Sequence, residues 1–183
     1  MKRVMAAFAA LVAAGLLAGC QSMPREPIAT VSDLDLERFM GDWYVVGNIP
    51  TFLERDAHNA VESYALEDER RVATTFRFRD GSFDGPLKVY EPTGFVSEED
   101  AAVWGMQFIW PIRAEFLVMY VDEDYQRTII GRSKRDYVWL MARKPNLTDA
   151  EFDELVAVVE AAGYDRSKLQ RVPQRWPEAV IAE

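Results

Sequence analysis

Eight short runs of strand character, each closed by turn residues, restrict this chain more than any other feature. They cover roughly 41–49, 59–66, 71–79, 86–95, 102–110, 113–121, 126–132 and 137–143, with ends placed to about two to four residues. Several alternate in the strand manner. Trp104, Met106 and Phe108 share one face of the fifth run, and Phe116, Val118 and Tyr120 share one face of the sixth. Asp80-Gly81, Pro111 and Asp122-Glu123-Asp124 mark connections. Short strands at this spacing predict a sandwich or a barrel. Eight antiparallel strands can close on themselves, which removes exposed edges and can enclose one small ligand. Aromatic residues make up 12% of the chain, which suits a strand-rich fold with a large apolar interior.

Two helical signals flank the runs. Asp35 is placed to cap a short turn through Leu36, Phe39 and Met40. Thr148-Asp149-Ala150-Glu151 is a capping box, in which the threonine hydroxyl and the glutamate carboxylate each satisfy a free backbone N–H. Phe152, Leu155, Val156 and Val159 then follow at i, i+3, i+4 and i+7, and Gly163 suits the stop. A single helix after a run of strands is expected to lie against their outer face.

The N-terminus reads as an address. Lys2 and Arg3 precede a 14-residue apolar stretch, Val4 to Leu17. That is too short to span a bilayer, which takes roughly 20 residues, and has the size of a secretory h-region. Leu17-Ala18-Gly19-Cys20 closes it with the chain's one cysteine. The run resembles a bacterial lipobox, whose cysteine takes a diacylglyceryl group and becomes the first residue of the mature protein. The alternative is a buried N-terminal helix with an incidental cysteine. On the lipobox reading, residues 1–19 are a signal peptide, Cys20 is the lipid attachment site, and 20–30, with Pro24 and Pro27, is a tether. Gln21 after the cysteine resembles the sorting signal for the outer membrane.

Cleavage leaves 164 residues, enough for one domain with one core, and loss of Lys2 and Arg3 takes the net charge from −9 to −11. So acidic a body argues against nucleic acid and against electrostatic docking on anionic lipid. With Cys20 acylated no disulfide can form, so the exported domain rests on packing alone. The search for chemistry is mostly negative. One histidine, His58, and one cysteine cannot build a metal cluster, and no cofactor is indicated. No nucleophile elbow or phosphate-cradling glycine loop is present; Gly81-Ser82-Phe83-Asp84-Gly85 reads as a turn.

At Gly41-Asp42-Trp43-Tyr44, just after the short helical turn, the chain resembles the first signature of the lipocalins. Asp122 and Asp124-Tyr125, between the sixth and seventh runs, resemble the second, and Arg143 at the end of the eighth resembles the third. Val45 departs from the glutamate that many members carry there. The resemblance covers about residues 31–174 and, with the lipobox, points to the bacterial lipocalins, apolipoprotein D-like lipoproteins of the outer membrane. It implies an all-β, eight-stranded antiparallel up-and-down barrel with one C-terminal α-helix packed outside. Residues 175–183 would form a tail with no assignable role. It also implies that Trp43 plugs the closed end with Arg143 stacked over it, a contact worth about 0.5–2 kcal/mol.

The same resemblance places Glu62, Tyr64, Phe76, Trp104, Met106, Phe108, Phe116, Val118, Tyr120 and Trp139 in or near a cavity. The competing reading is that they fill a solid core, since small barrels occur in both forms. The loop over about 48–58, with Phe52 and Leu53, would form a flap over the open end. The implied function is binding of a lipid or other amphiphile, such as a fatty acid or lysophospholipid, for storage, transport or repair of envelope lipids. Its partners are that ligand and the membrane. Alternatives are an interaction lipoprotein with a filled barrel, a pigment or haem binder, and an enzyme using an inward Glu62 beside Tyr64.

Overall fold

The computed structural model describes residues 26–178; the expected signal peptide, Cys20 and the first part of the tether lie outside them, as do residues 179–183. Helix α1 (Leu36–Phe39) is capped by Asp35, whose carboxylate accepts the Arg38 N–H at 3.1 Å. Strands β1 (Gly41–Ile49), β2 (Ala57–Asp68), β3 (Arg71–Asp80), β4 (Leu87–Tyr90), β5 (Thr93–Val96), β6 (Val103–Ile109), β7 (Ile112–Val121), β8 (Arg127–Gly131) and β9 (Val138–Ala142) follow. Helix α2 (Asp149–Ala161) and the two-residue strand β10 (Gln170–Arg171) end the order.

The ladder runs antiparallel from β1 through β2, β3, β5, β6, β7 and β8 to β9, and β9 returns to β1, closing the barrel. The fourth expected run is two pieces, β4 and β5, both paired with β3. Proline 92, which has no N–H to give a ladder, lies in the break. Counted as one interrupted strand, the pair leaves eight staves. Only β5 goes on to pair with β6; among the described residues no ladder joins β4 to β6.

Strand alternation sorts the apolar side chains into two clusters. The inner one includes Trp43, Val45, Tyr64, Phe76, Trp104, Phe116, Val118 and Met141. The outer one joins Val46, Ile49, Ile129, Val138 and Leu140 to the buried stripe Phe152, Leu155, Val156 and Val159 of α2. Both halves of the Thr148–Glu151 capping box are formed. The helix therefore lies where its sequence predicts, outside the barrel.

Two bulges decide which residue belongs to which cluster. On β1 the register against β9 slips between Val45 and Gly47, so Val46 and Gly47 both face α2, and Ile49 falls in the outer cluster instead of following Trp43 and Val45 inward. The amide of Gln174 donates to Val45 O at 2.8 Å and to Ala60 O at 3.2 Å, satisfying carbonyls where β1 and β2 are irregular. Residues beyond it pack on the outer wall. Trp176 meets Tyr44 edge-on at 5.3 Å, and Glu178 pairs with Arg79 at 3.4 Å. The stretch 175–178, given no role from sequence, thus covers the outside of β1 to β3.

On β7 the register slips between Val118 and Tyr120. Val118 remains inside; Tyr120 turns out and packs with the helix cluster. The expectation that Tyr120 shares the inward face of Phe116 and Val118 is corrected here, because the extra residue, Met119, resets the two-residue period. Gly131 lies opposite this bulge, and a Cβ there would overlap the Met119 sulfur and the Tyr164 hydroxyl. That hydroxyl accepts the Arg132 N–H at 2.7 Å. Gly131→Ala is expected to cost about 1–3 kcal/mol through overpacking, read as a lower urea midpoint. An unchanged midpoint would show that the bulge is free to relax.

Candidate functional site

The closed end is built around Trp43, fully buried at the start of β1. Its indole N–H donates to Phe39 O at 2.8 Å, tying the strand to α1. The Arg143 guanidinium lies 3.7 Å over the indole. Its N–H groups donate to the carbonyls of Asp42 (2.8 Å), Arg38 (2.9 Å), Phe39 (3.1 Å) and Met40 (2.7 Å). One side chain thus satisfies the carbonyls that a one-turn helix leaves without partners. Gly41 has φ +92°, and a Cβ there would press on the Arg143 guanidinium at 3.3 Å.

The other signature residues converge on the same end. Asp122 accepts from the Gln126 and Arg127 N–H groups and from the Arg127 side chain, closing the β7–β8 turn. The Tyr125 hydroxyl accepts the Asp35 N–H at 2.9 Å, with Arg38 4.1 Å over its ring. The loop residue Asp124 contributes its carbonyl to the Gln126 side chain. Tyr44 faces outward to Trp176, away from the cavity.

Above Trp43 the barrel is filled. Phe39, Tyr64, Trp104 and Phe116 form an aromatic floor: Trp104 stacks on Phe116 at 5.0 Å, and Tyr64 meets Trp104 edge-on at 5.6 Å. Over this floor opens a cavity of about 220 Å³. Phe76, Met106, Ala114, Phe116, Tyr137 and Trp139 line its wall, and Phe52, Leu53 and Phe108 line its mouth. The two readings left open by the sequence are each right for half the barrel. Its lower half is packed solid and its upper half is hollow. Tyr64, Trp104 and Val118 belong to the packed half. Glu62, Phe76, Met106, Phe108, Phe116 and Trp139 reach the hollow one.

The polar groups of the cavity are few and unequal. Glu62 on β2 points inward, and the Tyr64 hydroxyl donates to its Oε2. Burial, opposed by that hydrogen bond and reinforced by the charge of Glu54, pushes its pKa up to about 7. Burial together with Glu62 pushes the Tyr64 hydroxyl up as well, so it stays a donor. Thr74 lies on the neighbouring strand with a buried hydroxyl that has no partner within the described residues. At the mouth stands Arg132, which pairs with Asp136 at 3.5 Å and keeps a buried Nε without a partner among the described residues.

Glu54 is the residue that sequence reasoning missed. It sits in the β1–β2 loop, an acid among turn residues, yet it is 2% exposed. Its carboxylate accepts the Thr51 N–H at 3.0 Å and the Trp139 indole N–H at 3.0–3.1 Å. Desolvation raises its pKa despite these bonds. The loop is thereby pinned inward by Glu54 while Phe52 faces solvent. No local signal in 48–58 distinguishes such an acid, because its partner Trp139 is remote in sequence.

Residues 34–174 match the family model described as a lipocalin-like domain, which is most of the chain. The chain belongs to the lipocalin family. Among curated relatives it is 26% identical to temperature-induced lipocalin-1 of Arabidopsis thaliana, covering 82% of this chain and 84% of that one. It is 26% identical to outer membrane lipoprotein Blc of Escherichia coli (strain K12), covering 94% of this chain and 98% of that one. Among solved structures, insecticyanin from Manduca sexta superposes with a TM-score of 0.64 at 14% identity, over 82% of this chain and 86% of that one. At that identity the likeness speaks for the fold. The lipocalin fold explains why the signature residues sit at one end and the cavity at the other. This is a bacterial lipocalin with an apolar cavity suited to a small hydrophobic ligand.

Proposed function

We propose that this lipocalin is an envelope lipoprotein, acylated at Cys20 after removal of residues 1–19, that holds one amphiphile in its barrel. The observation that carries the reading is the cavity itself, walled by apolar side chains and closed below by the aromatic floor. At about 220 Å³ it is smaller than most ligand pockets, so it suits one acyl chain rather than a bulky ring system. The polar groups set the direction. Glu62 in the interior disfavours a buried carboxylate or phosphate, while Arg132 at the mouth has an unused donor for one. The chain of a fatty acid or lysophospholipid therefore enters first and its head stays at the mouth. The similarity to proteins named outer membrane lipoproteins supports the same location and a role in storing, carrying or repairing envelope lipids.

The test is titration with fatty acids and lysophospholipids, by native mass spectrometry and tryptophan emission. Ala114→Trp, which fills the cavity from β7, is expected to weaken binding by about tenfold or more, the equivalent of roughly 1.4 kcal/mol. Binding untouched by Ala114→Trp would place the ligand elsewhere, and no binding of any amphiphile would overturn the reading.

A second reading draws on Glu62, whose raised pKa beside a cavity is what a proton-transferring enzyme needs. Turnover of a bound lipid that disappears in Glu62→Gln would establish it.

A further inference from the structure

Every large apolar side chain that is exposed among the described residues lies on the half of the barrel that carries the mouth. The β6–β7 hairpin holds most of them: Ile109 is 73% exposed, Trp110 82% and Ile112 71%, with Phe108 at its base. Phe52, 79% exposed, stands on the β1–β2 loop across the same cavity opening. Leu87 and Val89 continue the exposed set along β4. Isolated apolar residues on a surface are ordinary, whereas a cluster confined to one rim marks an interaction site.

The chain enters the fold at that same end. The carbonyl of Glu26 accepts from Arg135 at 2.7 Å, and Arg135 lies in the β8–β9 loop, which borders the mouth as the β1–β2 loop does. From there the segment runs down the wall, where the Val31 N–H bonds Val118 O, before α1 turns at the closed end. Glu26 is only six positions on from Cys20. Fully extended, that stretch reaches at most about 20 Å.

We infer that the tip of the β6–β7 hairpin, with Phe52 beside it, is a bilayer-docking surface that seats the cavity mouth on the leaflet holding the Cys20 lipid. The inference rests on the acylation of Cys20 proposed above. A tether of this length starting at the mouth side holds the rim within reach of the lipid headgroups. Tryptophan is the side chain best suited to the bilayer interface, where an apolar ring and a polar N–H are both accommodated. The net charge of −11 on the body without residues 1–19 opposes approach to anionic lipid, so the apolar rim supplies the attraction. Docking is apolar, and therefore independent of anionic lipid and insensitive to salt. Its consequence is that an acyl chain passes from leaflet to cavity without crossing bulk water.

The mature protein, purified from membranes and reconstituted in phosphatidylcholine vesicles, tests this with phosphatidylcholine brominated along its acyl chains. The brominated lipid is expected to quench an emission component that is absent in Trp110→Phe, equally at low and high salt. Ile109→Asp with Trp110→Asp is expected to slow transfer of a fluorescent fatty acid from vesicle to protein by about tenfold. Neither residue lines the cavity, so affinity for ligand presented without vesicles stays unchanged. Equal quenching in the wild type and Trp110→Phe overturns the inference. So does a doubling of mass without vesicles that Trp110→Asp abolishes, since a second copy would then cover the hairpin. The mass of the mature chain reports acylation, and vesicle-free titration reports the cavity. Failure of either is thus seen apart from failure of docking.

Discussion

Trp43→Ala is expected to lower stability by about 3–5 kcal/mol, the range for removing a buried aromatic from a packed core. The indole is fully buried, stacked under Arg143 and bonded to Phe39 O, so truncation removes apolar contact and a hydrogen bond together. Arg143→Leu is expected to cost several kcal/mol by a different route. It keeps apolar volume but leaves the carbonyls of Arg38, Met40 and Asp42 without their donor. Arg143→Lys does not restore it, because an ammonium has no planar fork to reach the set. In the double variant the costs should fall short of the sum by about 0.5–2 kcal/mol, the cation–π share. Urea unfolding followed by far-ultraviolet circular dichroism measures all of these. A loss below about 1 kcal/mol for Trp43→Ala would remove the closed-end plug from the account of stability.

The second large effect is one of pH. The unfolded chain ionises Glu62 near its ordinary 4.5, and the folded chain does so at about 7. Between those values the native state holds the proton that the unfolded state has lost. Stability therefore falls as pH rises through this window, and the loss is complete above it. At about 1.36 kcal/mol per unit the difference corresponds to roughly 3 kcal/mol at most, less where cavity water reaches the carboxylate. Glu54, also raised, adds a slope of the same sign. Glu62→Gln keeps a partner for the Tyr64 hydroxyl and removes the charge. It is expected to be more stable than wild type at pH 8, with the gap closing towards pH 4. A gap that does not change with pH would mean that Glu62 is not held protonated by its surroundings.

Much of the fold was legible along the chain, for identifiable reasons. β1 spans 41–49 as expected from its run, because a strand start after a capped turn is a local signal. The α2 stripe and capping box were legible for the same reason. Bulges were not. The alternation of Phe116, Val118 and Tyr120 reads as one face, and only the pairing with β8 shows that Met119 turns Tyr120 outward. The cavity was half legible. An inward aromatic is recognisable from parity, but whether it fills the floor or lines the wall depends on its height in the barrel. Hence Trp104 and Met106, two residues apart on one strand, fall on either side of that line. Glu54 left no trace in sequence, since what makes it important is the indole of Trp139, 85 residues away.

The missing ladder between β4 and β6 gives the barrel unequal stiffness along its height. Towards the closed end, β5 joins β3 to β6 and the hydrogen-bonded hoop is complete. At the level of β4 the hoop is cut, beside Tyr90, Pro92 and Phe108. Widening the rim there breaks no backbone hydrogen bond, whereas widening the base would break several. The frame is built like a split collet, closed at the base and cut at the rim, so a guest of larger girth would spread the rim before it disturbed the seat beneath.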